Sequence, residues 1–245
     1  MSSVTATKRD PGQRISLLGR QLELWQGLFY LLLLYAFLIL TTFPKYGVNP
    51  DEAGHIDYGE SVYVWYETLF QERGIFTRAN IWLYGGFYDA LVHLVTLVSP
   101  LGLHDTRHLC NALVGLIGVV GAYKLGGLLG NRWVGFAAAL FLVLPPRYYG
   151  HAFFNHKDIP FAIAFLWSTY YILQGVGHLP QLPRALIWKT GLALGLSLGI
   201  RVGGFVLVGY LGLFYALRYF QLVHQQQARR DAAVYLPLIK VTFCR

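Results

Sequence analysis

The sequence predicts an all-α protein, a polytopic bundle of membrane helices with an external amphipathic-helix loop after the first of them. Three observations carry that prediction. Of 245 residues, 55% are hydrophobic and 13% charged, with a mean hydropathy of +0.44, well outside the usage of soluble domains. The apolar residues gather into runs of bilayer length. Lys and Arg, which give a formal charge of +8, stand singly or in pairs at the ends of those runs. That is the placement of topology signals and headgroup anchors, not of a nucleic-acid-binding stripe, so no nucleic-acid partner is expected. Cys110 and Cys244 are the two cysteines, too few for a disulfide framework or a zinc finger.

Residues 1–21, with Lys8, Arg9, Arg14 and Arg20, read as a mobile cytoplasmic tail. The uncharged run "GLFYLLLLYAFLILTTF" (Gly27–Phe43) is longer than a signal-peptide core; residues 22–43 are expected to be a retained anchor that spans outward. An external loop over about 44–104 follows. Within it "SVYVWYETLF" places Val62, Trp65, Tyr66 and Leu69 at helical spacing, which predicts an amphipathic helix lying on the membrane. Residues 81–98 are long enough to span but carry a stripe of Gly85, Asp89, His93 and Thr96. If they cross, the clusters Lys124/Arg132, Arg184/Lys189 and Arg218/Arg229/Arg230 fall outside, against the positive-inside tendency. They are therefore expected to lie in the interface or dip in and return. Further runs at about 109–129, 133–149, 159–175 and 185–219 follow, the last broken near Arg201-Val202-Gly203-Gly204. The membrane domain thus covers 22–220. Residues 221–245 read as a polar loop entering an apolar stretch too short to cross.

This topology puts two acidic sites on one outer face. In "YGVNPDEAGHIDYGE" (Tyr46–Glu60) Asp51 and Glu52 follow Pro50 at an expected helix N-terminus, whose amides and dipole favour ionised carboxylates. An oriented carboxylate beside the headgroups meets the needs of a general base, whereas Asp57, Glu60, Glu67 and Glu72 need be no more than hydrated. In "GHAFFNHKDIP" (Gly150–Pro160) Asp158 precedes an apolar run beside His151, His156 and Lys157. It could simply cap that helix. Arg201 interrupts a long apolar stretch, where arginine normally faces a cavity or a partner anion; a plain turn between short helices is the alternative. Carboxylates with cations beside lipid suggest an anionic lipid substrate.

The Asp51-Glu52 pair after a single anchor, Arg107 and Asn111 at the head of a helix ending in "YKLGGLLG", the turn through Pro145 and Gly150, and Asp158 together resemble the membrane glycosyltransferases of the C-type fold. The branch they resemble contains the protein O-mannosyltransferases and lipid A aminoarabinose transferases. The resemblance covers residues 20–220. It implies inverting transfer of a sugar from a polyprenyl-phosphate carrier to a protein or lipid acceptor, at the external face of a bacterial inner membrane or the lumenal face of the endoplasmic reticulum. Asp51 would be the base, Glu52 its support, and Asp158 a wall of the same cavity. Arg107, His156, Lys157 and Arg201 would supply positive charge for the carrier phosphate. Some relatives use a divalent metal ion and others none, so the cofactor stays open, with Asp51, His55, His156 and Asp158 as candidate ligands. Members are usually much longer, and the chain is expected to correspond to their N-terminal part and to be inactive alone. Two other classes stay open: a catalytically inactive fragment serving as a binding partner, and a lipid flippase or transporter.

Overall fold

The computed structural model describes residues 14–17, 20–77, 81 and 84–243. It is helical apart from one antiparallel two-stranded ribbon, β1 (Arg14–Leu17) and β2 (Arg20–Glu23), in which Arg14 pairs with Glu23 and Leu17 with Arg20. The expected cytoplasmic tail is thus a ribbon over its second half. Residues 1–13 lie outside the described residues. Nine helices follow among those described: α1 (Leu24–Thr42), α2 (Pro50–Glu67), α3 (Phe87–Val98), α4 (Leu103–Leu129), α5 (Arg132–Val143), α6 (Pro146–Phe154), α7 (Asp158–His178), α8 (Arg184–Ile200) and α9 (Phe205–Phe243).

Among the described residues four stretches are long and apolar enough to cross a membrane: Leu24–Lys45, Leu103–Leu129, Asp158–His178 and Val202–Gln227. This is an integral membrane architecture. The apolar run at 133–149 is divided by Pro145 and Pro146, which cannot continue the ladder of α5 and instead start α6, with Pro146 in its first turn. The break expected near Arg201 is present: α8 ends at Ile200, Val202–Gly204 forms a 3-10 turn, and α9 begins at Phe205. The loop expected from residue 221 is not, because α9 runs on through Phe243.

Residues 81–98 do not form a bilayer-length helix. Among their described residues the α-helix is Phe87–Val98, about 18 Å at 1.5 Å per residue, and it packs against α2, α4 and α8. Gly85 precedes it at a close crossing, where a Cβ would overlap the Gly199 carbonyl of α8. The stripe expected on α2 is also displaced. Tyr66 and Leu69 are exposed, and the buried face is Glu52, His55, Tyr58, Gly59 and Val62. The helix packs on α3, and its inward face carries charge.

The main apolar core joins Tyr35 and Ile39 of α1, Ala112 and Val119 of α4, Ala139 of α5 and Phe153 of α6. It packs α1, α4 and α5 against α6, just before the α6–α7 turn. Tyr88, Val92, Ala164 and Ile200 form a second cluster that ties α3 to α7 and α8.

Candidate functional site

The site is built where α2, α3, the head of α4 and the α6–α7 turn meet. Asn49 caps α2: its Oδ1 accepts from the Asp51 amide at 3.2 Å, and Pro50 occupies the first turn. The cap sets the phase of the helix. Asp51 then faces out, while Glu52 and His55 turn inward, 1% and 8% exposed.

α4 begins six residues earlier than its apolar run, at Leu103. The added turns bring His104, Arg107, His108 and Asn111 onto one face, at steps of three, one and three residues. Arg107 Nη2 donates to Asp89 Oδ1 at 3.4 Å, and its Nε lies 3.8 Å from Glu52 Oε1. His104 Nδ1 lies 3.1 Å from Glu52 Oε1 and His108 Nε2 lies 3.3 Å from Oε2. An ionised carboxylate can only accept, so both rings donate. Burial alone would raise the pKa of Glu52, but the hydrogen bonds from His108 and His104 outweigh it and bring the carboxyl down to about 2.

Across from Arg107, His55 Nδ1 lies 2.9 Å from Asp89 Oδ2 with both side chains buried. His156 is buried against the same cluster. Its Nδ1 donates to the Phe154 carbonyl at 3.2 Å, its ring stacks on His108 with centroids 6.2 Å apart, and its Nε2 has no hydrogen-bond partner. Burial, then the Arg107 charge, push its pKa down to about 3, so it is neutral.

Asn111 anchors the α6–α7 turn: its Nδ2 donates to the carbonyls of Asn155 at 3.1 Å and His151 at 3.4 Å, while its Oδ1 accepts from Tyr88. Asn155 in turn caps α7, accepting from the Asp158 amide at 2.9 Å and donating to Asp158 Oδ2 at 3.2 Å. The other carboxylate oxygen of Asp158 accepts from Arg201 Nη1. Lys157 Nζ stands 4.4 Å from the ring centroid of Tyr84, and the Arg201 guanidinium 5.7 Å from it.

These contacts enclose a polar cleft of about 80 Å3, lined by Asp51, Glu52, His55, His156, Lys157 and Asp158 with Asn49, Phe154 and Asn155. Segments a hundred residues apart, which the sequence puts on one face, therefore share one cavity. Beside it runs an apolar groove of about 350 Å3 between α3, α4, α7 and α8. Pro160 and Ile200, each next to a member of the Asp158–Arg201 pair or one residue beyond it, line its near end; Tyr171 and Lys189 line its far end. From Ile200 to Lys189 along α8 is about 16 Å.

Two expectations change. Arg107, proposed from the sequence as a carrier-phosphate ligand, is 1% exposed, absent from the cleft wall and committed to Glu52 and Asp89. The metal candidates Asp51, His55, His156 and Asp158 all line the cleft, but among the described residues no three His, Cys, Asp or Glu side chains converge as a metal site. The sequence reading also missed His104 and His108, and took Asp89 only as part of an interfacial stripe. The 104/107/108/111 repeat at the head of an apolar helix was the signal that could have found the two histidines.

No family model, no curated protein and no solved structure matches the chain.

Proposed function

We propose that this membrane protein transfers a sugar from a polyprenyl-phosphate carrier to a hydroxyl of a protein or lipid acceptor, with inversion, on the face where the polar cleft opens. One observation carries the reading: a carboxylate-lined cleft, with Lys157 in its wall and Arg201 paired to its Asp158, adjoins an apolar groove through the chain neighbours Pro160 and Ile200. Such a pairing suits a ligand with an anionic head and a long apolar tail. Asp51 is the base. It faces the cleft from the first turn of α2 and makes no ion pair among those found at the site. Lys157 and Arg201 take the phosphate, whose charge grows as the sugar leaves. Arg201 is only partly exposed and is neutralised by Asp158, so the lipid phosphate exchanges with the Asp158 carboxylate for the guanidinium.

The test has two measurements on protein reconstituted in liposomes. Undecaprenyl phosphate should bind, and Arg201→Gln should weaken that binding about tenfold or more. Transfer from lipid-linked sugars, followed by mass spectrometry, should be abolished by Asp51→Asn with insertion unchanged. Absence of lipid-phosphate binding would sink the donor reading. Transfer retained by Asp51→Asn would remove the base.

A further inference from the structure

The buried cluster does not balance its own charge. Glu52 and Asp89 are two carboxylates, Arg107 is one guanidinium, and His156 is held neutral. One more positive charge is needed to neutralise the interior, and the groups that can carry it are His55, His104 and His108. His104 and His108 face Glu52. His55 alone of the three lines the cleft, and it faces Asp89.

The placement of the Asp89–His55 pair is that of an acid–base dyad. Asp89 is on α3, outside the cleft wall, and its two oxygens are held by His55 Nδ1 and Arg107 Nη2. Because an ionised carboxylate accepts, Nδ1 carries the proton, and Nε2 is the nitrogen His55 has for the cleft. His55 is one helical turn after Asp51, so the two stand about 6 Å apart along the same helix. Both residues line the cleft, so each can meet a ligand held there. The other charged and titratable groups around His55 are Glu52 on α2, Arg107, His104 and His108 on α4, and His156, Lys157 and Asp158 on the α6–α7 turn.

We infer that His55, oriented by Asp89, is the general acid that protonates the departing lipid phosphate. The inference rests on the donor reading above. The acceptor O–H gives its proton to Asp51, and the acceptor oxygen forms the new bond to the anomeric carbon. The bond from that carbon to the phosphate oxygen breaks with its electron pair on the phosphate. His55 Nε2–H then gives its proton to that oxygen, and nothing is oxidised or reduced. The chemistry is matched: the phosphate monoester leaves as a dianion and takes up one proton near pH 6 to become the monoanion, in the range where imidazole ordinarily exchanges one, and general acids work best when the two coincide. Asp89 is a positioning residue, since it acts through the ring.

The test needs no turnover. Protein with isotopically labelled histidine is placed in nanodiscs, and the His55 ring signal, assigned by its loss in His55→Gln, is titrated with and without undecaprenyl phosphate. Bound lipid phosphate should move the His55 titration to higher pH, and Asp89→Asn should reduce that movement at least threefold with the lipid still bound. Where transfer is assayed, His55→Gln should slow it roughly 100-fold or more and erase the alkaline fall of the rate. If the lipid binds and the His55 titration does not move, the inference fails while the donor reading stands. If the lipid does not bind at all, both fail.

Discussion

Arg107 and Asp89 meet at 3.4 Å in the interior of the bundle, one from α4 and the other from α3. The same guanidinium lies 3.8 Å from Glu52 on α2, so a single side chain ties three helices together. Truncating it leaves two buried carboxylates without their cation. Such losses cost about 3–5 kcal/mol, and Arg107→Met should melt far below the parent in detergent. Glu52→Gln and Asp89→Asn, added to Arg107→Met, should restore much of the loss, because the stranded charges go with the cation. A triple variant no more stable than Arg107→Met alone would mean that shape, not charge balance, sets the cost.

Much of the fold is legible in the sequence, and the site only in part. Bilayer-length runs announced α1, α4 and α7, and "RVGGF" announced the break before α9. Asp51, His156, Lys157 and Asp158 were placed together because they share the end of neighbouring runs. What was not legible is the pairing beneath them. His55 meets Asp89 and Glu52 meets His108 across 34 and 56 residues of chain, and no local pattern encodes which inward-facing polar groups will find each other. α3 was ambiguous for the same reason: its carboxylate is intelligible only once Arg107 is beside it.

Acid should loosen the cluster in two stages. His156 and Glu52 both have native pKa values below their ordinary ones, about 3 against 6.5 and about 2 against 4.5. The unfolded chain therefore binds the extra proton first, so each contribution is complete above the ordinary value and drains away as pH falls to the native one. Stability should decline from about pH 6.5 through His156, and more steeply below 4.5 as Glu52 joins. Thermal unfolding of His156→Gln across this range should lack the decline between 6.5 and 4.5. An unchanged pH profile would rule out His156 as its source.

Gly59 lets α2 and α3 approach. A Cβ there would lie 2.5 Å from the Asp89 carbonyl oxygen, which is backbone and cannot swing aside. Gly59→Ala should cost about 1–3 kcal/mol, as overpacking does, and should shift α3 enough to loosen Asp89 from His55. Its His55 titration should then resemble that of Asp89→Asn. Gly191→Ala on α8, where a Cβ meets nothing within 4 Å, should be neutral or slightly stabilising.

The two ends of α4 give a check on topology. His104 and His108 sit behind the cleft, against Glu52 of its wall, while Asn131, which caps α5, lies just past the other end of α4, some 40 Å of helix away. With single cysteines in a Cys-free background, position 157 should react with an impermeant maleimide from outside and position 131 only after permeabilisation. The reverse pattern would place the cleft on the cytoplasmic face.

The ion cluster also bears on how the chain is made. α1 is apolar enough to enter the bilayer as soon as it leaves the ribosome, but α3 has about 18 Å of helix and an aspartate whose partners come from elsewhere. Until α4 is synthesised, Asp89 has His55 beside it and no guanidinium. The segment from α2 to α3 is then expected to seat fully once the next helix is in place with Arg107 at its head. In this region the seating of α3 is expected to depend on the arrival of a single cation.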